Sequence, residues 1–309
     1  MKNHRGFTLI ELLIVIFMLS IVMGAGYTVF LGSTRATTQQ TQDSKMQDNA
    51  RMAMDVLSRN FRRLGFQVDF DNYPVGTTIN GAGTKLIHTD NLGVNSSDAV
   101  TLVGGNPAAV ANLAVSADTG ATAITLDNAA GIVASDVIYL GLTHTAVVAN
   151  LSGNVLTLDT SAPDGALSMS YPGQDQATKK TAVVGLVQTT TFDVQQDGAG
   201  RFLFRQDAQP LADDIEDFQV QYGVDRDNNR LIDATEWTST PPATDIDLIR
   251  IAEITVVART VREDPAMQGV VRNLPAYGNR PTRPVNDGFK RLILTRIVLC
   301  RNMDILPVQ

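Results

Sequence analysis

Two hydrophobic periods follow one another along this chain. Residues 7–31 are almost wholly apolar, with Glu11 the only charge. At about 1.5 Å rise per residue, such a run makes a helix long enough to cross a bilayer core of roughly 30 Å. Beyond Leu31 the chain turns polar but keeps a helical period: Met46, Ala50, Ala53, Met54, Leu57, Phe61 and Leu64 recur at three- and four-residue spacing. They form an apolar stripe on one face, while Arg51, Asp55, Arg59, Arg62 and Arg63 fall mostly on the others. The three arginines 59, 62 and 63 read as a solvated helix face, and Gly65 offers a stop. The pattern predicts one continuous helix over about 7–64, its first half in a membrane or a bundle of like helices, its second half against a sheet.

From about Val68 the period drops to two. Short alternating runs at 99–103, 123–126, 137–140, 155–158, 191–195 and 202–205 are separated by glycine, Asn and Asp, the signature of antiparallel strands. Residues 108–170 form a low-charge block that reads as a small β module inserted in a larger domain. Longer strands are expected at 217–224, 247–258 and 291–299. Between the last two, residues 262–287 are rich in Pro, Gly, Asn and Arg and read as a mobile surface loop, whose Arg272, Arg280 and Arg283 point weakly to an acidic partner. The expected fold class is α+β: a long N-terminal helix, transmembrane and then amphipathic, packed on an antiparallel β-sheet body with an inserted β module. The expected divisions are 1–6, a short leader; 7–31, the membrane half of the helix; 32–66, its amphipathic half; and 67–309, an exported β-rich body.

Charge orients the helix. Lys2 and Arg5 precede it and mark the cytoplasmic side, which places the body outside the cytoplasm. A secretory signal peptide has a shorter apolar region followed by small residues at its cleavage site. Here Gly24-Ala25-Gly26 lie inside the run. A plain signal anchor fits the hydropathy equally well, and Glu11 separates the two readings. A carboxylate so early in a membrane helix costs about 2.5–3.5 kcal/mol on insertion scales, so it calls for a partner. A cut between Gly6 and Phe7 would make Glu11 the fifth residue and give Phe7 a positive α-amine. Glu11 of one copy then pairs with that amine in a neighbour and sets the register of a helical bundle.

The string Gly6-Phe7-Thr8-Leu9-Ile10-Glu11-Leu12-Leu13 resembles the processing motif of type IV prepilins and type II secretion pseudopilins. The resemblance implies cleavage after Gly6, N-methylation of Phe7 by a prepilin peptidase, and Glu11 as the assembly carboxylate. The stem sequence QDNARMAMDVLSRNFRRLGF (residues 47–66) is similar to PilW-type minor pilins and, more distantly, to GspJ-type pseudopilins; the ending GFKRLILTRIVLCRN (288–302) is similar to the closing strand of PilW-type proteins. The resemblance covers both ends of the chain, while the middle matches in general character only. It implies a minor pilin that initiates assembly or forms a tip complex. The partners implied are other minor pilins, the major pilin, prepilin peptidase, an inner-membrane assembly platform, and membrane lipid before assembly. The body would then stand in the periplasm on a single inner-membrane span, and later in a pilus or pseudopilus at the cell surface. A GspJ-like pseudopilin of type II secretion is the alternative; a membrane-anchored enzyme or binding domain on a pilin stem is a third reading. The large body and the inserted block favour the minor pilin.

Composition narrows the chemistry. Across 309 residues the formal net charge is -7, with acidic residues spread along the chain, so no strong nucleic-acid binding is expected. Cys300 is the only cysteine, which rules out an intramolecular disulfide and reads as a buried structural thiol. The three histidines are His4, His88 and His144; His4 belongs to the leader, and the other two read as surface residues. No nucleophile motif, phosphate loop or zinc spacing accompanies them, so no enzymatic role is expected.

One loop carries metal chemistry in its order of residues. In DRDNNRLIDATE (residues 225–236), oxygen ligands fall at loop positions 1, 3, 5, 9 and 12: Asp225, Asp227, Asn229, Asp233 and Glu236, with the Leu231 carbonyl at position 7. Calcium takes six to eight hard oxygens in this order in an EF-hand loop. Position 6, normally Gly, is Arg230, and the flanks read as strands. No cofactor is required for the fold. A structural Ca2+ in a hairpin loop and a metal-free Asn- and Asp-rich turn both fit the residues.

Overall fold

The computed structural model describes residues 9–66, 68, 86–90, 96–141, 144–161, 165–174 and 181–301, without the side chains of 107–110 and 243. Gly6 and Phe7 lie outside the described residues. A single helix, α1, runs Leu9–Arg63. No proline interrupts it, although Gly24, Gly26 and Gly32 lie within it, and it ends before Gly65, which takes φ +71°. Arg62 and Arg63 sit in the last turn, where cations complement the helix dipole. The Gly65 N–H donates to the Val103 carbonyl at 2.9 Å, stitching the helix end to the sheet. That approach needs Gly104: a Cβ there would stand 2.8 Å from the Arg63 carbonyl oxygen.

The body is antiparallel β throughout the described residues. In chain order the strands are β1 Leu86–Thr89, β2 Ala99–Asn112, β3 Ala123–Thr125, β4 Val137–Leu140, β5 His144–Ser152, β6 Val155–Leu158, β7 Val183–Gln196, β8 Phe202–Gln206 and β9 Gln209–Asp213; then β10 Ile215–Val224, β11 Trp237–Thr238, β12 Ile249–Arg259, β13 Arg272–Leu274, β14 Arg283–Val285 and β15 Arg291–Leu299. The first nine form one sheet in the order β1-β2-β7-β4-β5-β6-β3, with β8 added to the lower half of β7 and β9 to β8. A four-stranded sheet has the order β11-β10-β12-β15, and β13-β14 make a small ribbon.

Two cores result, joined by the long strands β2 and β7. The main core lies between α1 and both sheets. Met46, Ala50, Ala53, Met54, Leu57, Phe61 and Leu64, the whole expected stripe, are buried there with Phe192, Phe204, Phe218, Tyr222, Ile249 and Ile254. Phe192 and Phe204 stack at 5.8 Å between centroids, and Phe218 meets Phe204 edge-on at 5.7 Å. The second core gathers Leu113, Ile124, Leu126, Ile138, Leu140, Val148, Leu156 and Leu158, residues of the 108–170 block, and also takes Tyr171, Ala182 and Val184. Between the two, Tyr139 fills the space over Gly185, where a Cβ would meet its ring at 2.4 Å.

The loop expected at 262–287 is instead built onto the outer face of the four-stranded sheet. Leu274 and Tyr277 are buried against Val257, and the Tyr277 hydroxyl donates to Asp217 Oδ2 at 2.8 Å. Its arginines face inward to acids of β10 and to the following turn: Arg280 pairs with Asp217 at 3.2 Å, Arg283 approaches Glu216 at 3.5 Å, and Arg272 donates to the carbonyls of Asp287 and Phe289. An acidic partner is therefore supplied by the same chain. Acid-bearing β10 (IEDFQVQYGV) is buried along its length: Phe218 packs on Phe204 of β8 and Tyr222 lies near Phe61 of α1, while Asp217 lies under Tyr277 and Arg280, which is why Asp217 must be paired.

Candidate functional site

Two parts of the chain carry the expected site residues. The first is the front of α1. Glu11 lies in the first turn of the helix and is exposed. Around it, the apolar side chains from Leu9 to Phe30 face outward; Ile10, Leu13, Phe17 and Val22 are all more than half exposed. This segment is strongly apolar and none of it is buried by the rest of the described residues. By length and composition it is able to span a membrane. The second half of the same helix is opposite in character, with its stripe covered by the sheets. The rear is tied down by polar contacts as well: Arg296 Nη1 donates to Asp55 Oδ1 at 2.9 Å, Lys290 Nζ to Asp43 Oδ2 at 3.2 Å, and Asn49 Nδ2 to the Asp213 carbonyl at 2.9 Å.

The second is the acidic loop that leaves β10 and returns as β11. The Val224 N–H donates to the Glu236 carbonyl at 2.9 Å and the Asp225 N–H to the Leu248 carbonyl at 2.9 Å, so both ends are fixed on the sheet. Ile232 anchors the middle by packing over Gly223, where a Cβ would lie 2.8 Å from its Cγ2. Asp225, Asp227 and Glu236 come together, each offering an oxygen within 4.8 Å of the others. Asp225 and Glu236 are buried and Asp227 is exposed. Asp225 Oδ2 accepts from the Arg230 N–H at 3.1 Å and from Arg250 Nε at 3.3 Å. Glu236 accepts the N–H of Arg226 at 2.9 Å on Oε1 and that of Asp233 at 3.2 Å on Oε2.

The remaining expected ligands are not drawn into the cluster. Asn229 Oδ1 accepts from the Leu231 N–H at 2.6 Å, and Asp233 Oδ1 accepts from the N–H and hydroxyl of Thr235 at 2.7 and 2.6 Å. These bonds hold the Asp233 carboxyl below the usual range. Leu231 exposes its side chain, at 71%. Position 6 behaves as the loop pattern demands despite lacking glycine: Arg230 takes φ +66°, and Asn228 takes +58°. A bulky residue there is strained, and tertiary contacts around it must hold the turn.

Both described histidines depart from the surface placement expected of them. His144 is 3% exposed and packs beside Tyr171 in the second core. His88 lies edge-on to Tyr222 with Nδ1 2.9 Å from the phenol oxygen, and Nε2 stands 3.6 Å from Asp98 Oδ2. Burial pushes its imidazole down to about 4, with Asp90 acting the other way. Asp90, Asp98 and His88 form a second acidic group. The two carboxylates are engaged by the protein, Asp98 Oδ2 by the Val220 N–H at 2.8 Å and Asp90 Oδ1 by Asn279 Nδ2 at 2.7 Å, while His88 Nε2 is buried without a hydrogen bond among the described residues. In β1 the pattern Leu86-Ile87-His88 places His88 on the same face as buried Leu86, a period-2 signal for the inward ring. Cys300 is buried, and burial pushes its thiol up to about 12, as suits an inert structural cysteine.

Comparison with known proteins bears on both ends of the chain. Residues 1–27 match the family model of the prokaryotic N-terminal methylation motif. Residues 193–302 match the model of type IV pilus-assembly protein W; they include β8 to β15 and the acidic loop. No curated protein matches the sequence significantly. Among solved structures, the type IV-like pilin TTHA1219 from Thermus thermophilus is similar at 14% identity and a TM-score of 0.38, covering 84% of this chain and 98% of that one.

Proposed function

We propose that this chain is a PilW-type minor pilin that initiates assembly or forms a tip complex with other minor pilins, a reading supported by the methylation-motif match at residues 1–27 and the PilW match at 193–302. The observation that carries the reading is the uncovered front of α1. A helix face that exposes Leu12, Ile14, Phe17, Leu19 and Ile21 is not stable in water. Lipid covers it before assembly, and the stems of neighbouring pilins cover it afterwards.

The order of events follows from charge. Lys2 and Arg5 hold the first residues in the cytoplasm while the body enters the periplasm. Prepilin peptidase cuts between Gly6 and Phe7 and methylates the new α-amine. Glu11 then supplies the carboxylate that pairs with the Phe7 amine of an adjacent subunit. The pair forms in a low-dielectric setting where an unmatched Glu is costly, so extraction from the membrane favours only the correct axial step. The PilW match supports a pilus rather than a secretion pseudopilus. Deleting the gene and counting surface pili alongside secreted exoproteins separates the two. Lost piliation with normal secretion is expected, whereas normal piliation with lost secretion would reassign the chain to a pseudopilus.

A further inference from the structure

We propose that the loop between β10 and β11 is a divalent-cation site selective for calcium, with Asp225, Asp227 and Glu236 as its carboxylate ligands. Two observations carry it, and a third agrees with it. The first is the geometry: oxygens all lying within 4.8 Å of one another fit around one ion, since calcium–oxygen distances of about 2.4 Å allow opposite ligands to stand about 4.8 Å apart.

The second is an uncompensated buried oxygen. Asp225 is fully buried, and its Oδ1 has no hydrogen-bond partner. Oδ2 already faces Arg230 and Arg250, which leaves Oδ1 as the ligand atom. A buried carboxylate oxygen is costly without a counterpart, and a cation supplies one. Glu236 differs in that each of its oxygens already accepts a backbone N–H. It is 5% exposed, and its hydrogen bonds come from the backbone N–H groups of Arg226 and Asp233. Arg226, which follows Asp225, directs its guanidinium to Asp245 at 2.8 Å instead.

The third is the backbone. Arg230 accepts the positive φ that the ion-binding loop needs at its sixth position, and its N–H donates to the first-position Asp225. Positive φ at a non-glycine also occurs at Ser135, Asp207 and Ala208, so this strain agrees with an ion without requiring one. Calcium rather than magnesium follows from the donors. The loop offers carboxylates at positions 1, 3 and 12, with the position 5 and 9 side chains and the position 7 carbonyl close in sequence; this suits a flexible seven-oxygen shell better than a rigid octahedron. Asn229 and Asp233 would turn from their bonds to Leu231 and Thr235 to complete it. A bound ion would lock the end of β10 to β12, where Arg250 meets Asp225 and its carbonyl accepts from the Cys300 N–H.

Trp237 is the only tryptophan and immediately follows Glu236, so terbium bound in the loop can be excited through it. The test uses the full-length chain in detergent, stripped with a chelator. Tryptophan-sensitised terbium emission is expected, displaced by calcium at about 0.1–1 mM and by magnesium only at tenfold higher concentration or more. Calcium should also raise the thermal midpoint. Asp225→Asn and Glu236→Gln should abolish both signals; the exposed Asp227→Asn, which disturbs no core, should weaken calcium at least tenfold with the unliganded circular dichroism unchanged. The proposal is overturned by a wild-type protein without terbium emission or calcium-dependent midpoint, or by an Asp227→Asn response equal to the wild type. Neither result touches the pilin reading, which rests on the stem.

Discussion

The front and the rear of α1 belong to one unbroken helix but answer to different partners. In the rear half, apolar residues are rationed to one stripe, and the stripe is buried by β2, β9, β12 and β15 of the same chain. In the front half apolar residues go all the way round, and none of the described residues buries them. A stripe signals a helix packed on one side, and an apolar cylinder signals one immersed on all sides. The rear half contributes to the stability of the body, while the front half is left for lipid or for neighbouring subunits under the proposed function.

Substitutions can break that distinction. The largest effect on folding is expected at Phe61, buried beside Tyr222 at 6.4 Å between centroids. Phe61→Ala should cost about 3–5 kcal/mol, read by urea unfolding in detergent. Phe17→Ala, at the exposed front, should leave that unfolding curve unmoved. Equal losses at both positions would mean that the front is packed on the body after all.

A somewhat smaller effect belongs to pH. His88 is held neutral by burial between Tyr222 and Asp98, with a value lowered to about 4 from 6.5. The unfolded chain therefore binds a proton that the folded chain resists. The stability this contributes is complete above about pH 6.5 and falls as pH drops toward 4, by on the order of 3 kcal/mol. His88→Gln should flatten that acid limb. An unchanged limb would assign the acid sensitivity to other groups.

The smallest effect is at the stem's surface. Arg296 and Asp55 pair at 2.9 Å but are 43% and 61% exposed. Arg296→Ala should cost under about 1 kcal/mol and should lose even that in high salt. A larger, salt-insensitive loss would reveal that the pair, rather than the stripe, fixes the rear of the helix.

How much could be read beforehand follows the same division. The helix and its stripe were legible because the 3.6-residue period persists over many turns, and Met46 through Leu64 are all buried as that period requires. Strands β10, β12 and β15 were legible from long β-branched runs. Strand β5, His144–Ser152, was not: its first residues, HTAVV, are buried or nearly so without alternation, and a small polar Thr145 carries no period-2 signal. The ribbon β13–β14 was missed because three-residue strands of Arg, Asn and Pro have no period, and what orders them lies some sixty residues away at Asp217. In the acidic loop the order of ligands was visible. Which oxygens converge depends on local turns that hold Asn229 and Asp233 aside, and those depend on side-chain geometry that spacing does not encode.

Under the proposed function, Glu11 acts between subunits. The direct measurement is the amount of this protein in sheared surface pili, by immunoblot, for the wild type and for Glu11→Val expressed at equal levels. Glu11→Val is expected to keep the wild-type unfolding curve and the membrane location, to lose its leader and gain the methyl group at Phe7, yet to be at least tenfold depleted from the pili. Wild-type amounts of Glu11→Val in the sheared filaments would contradict it.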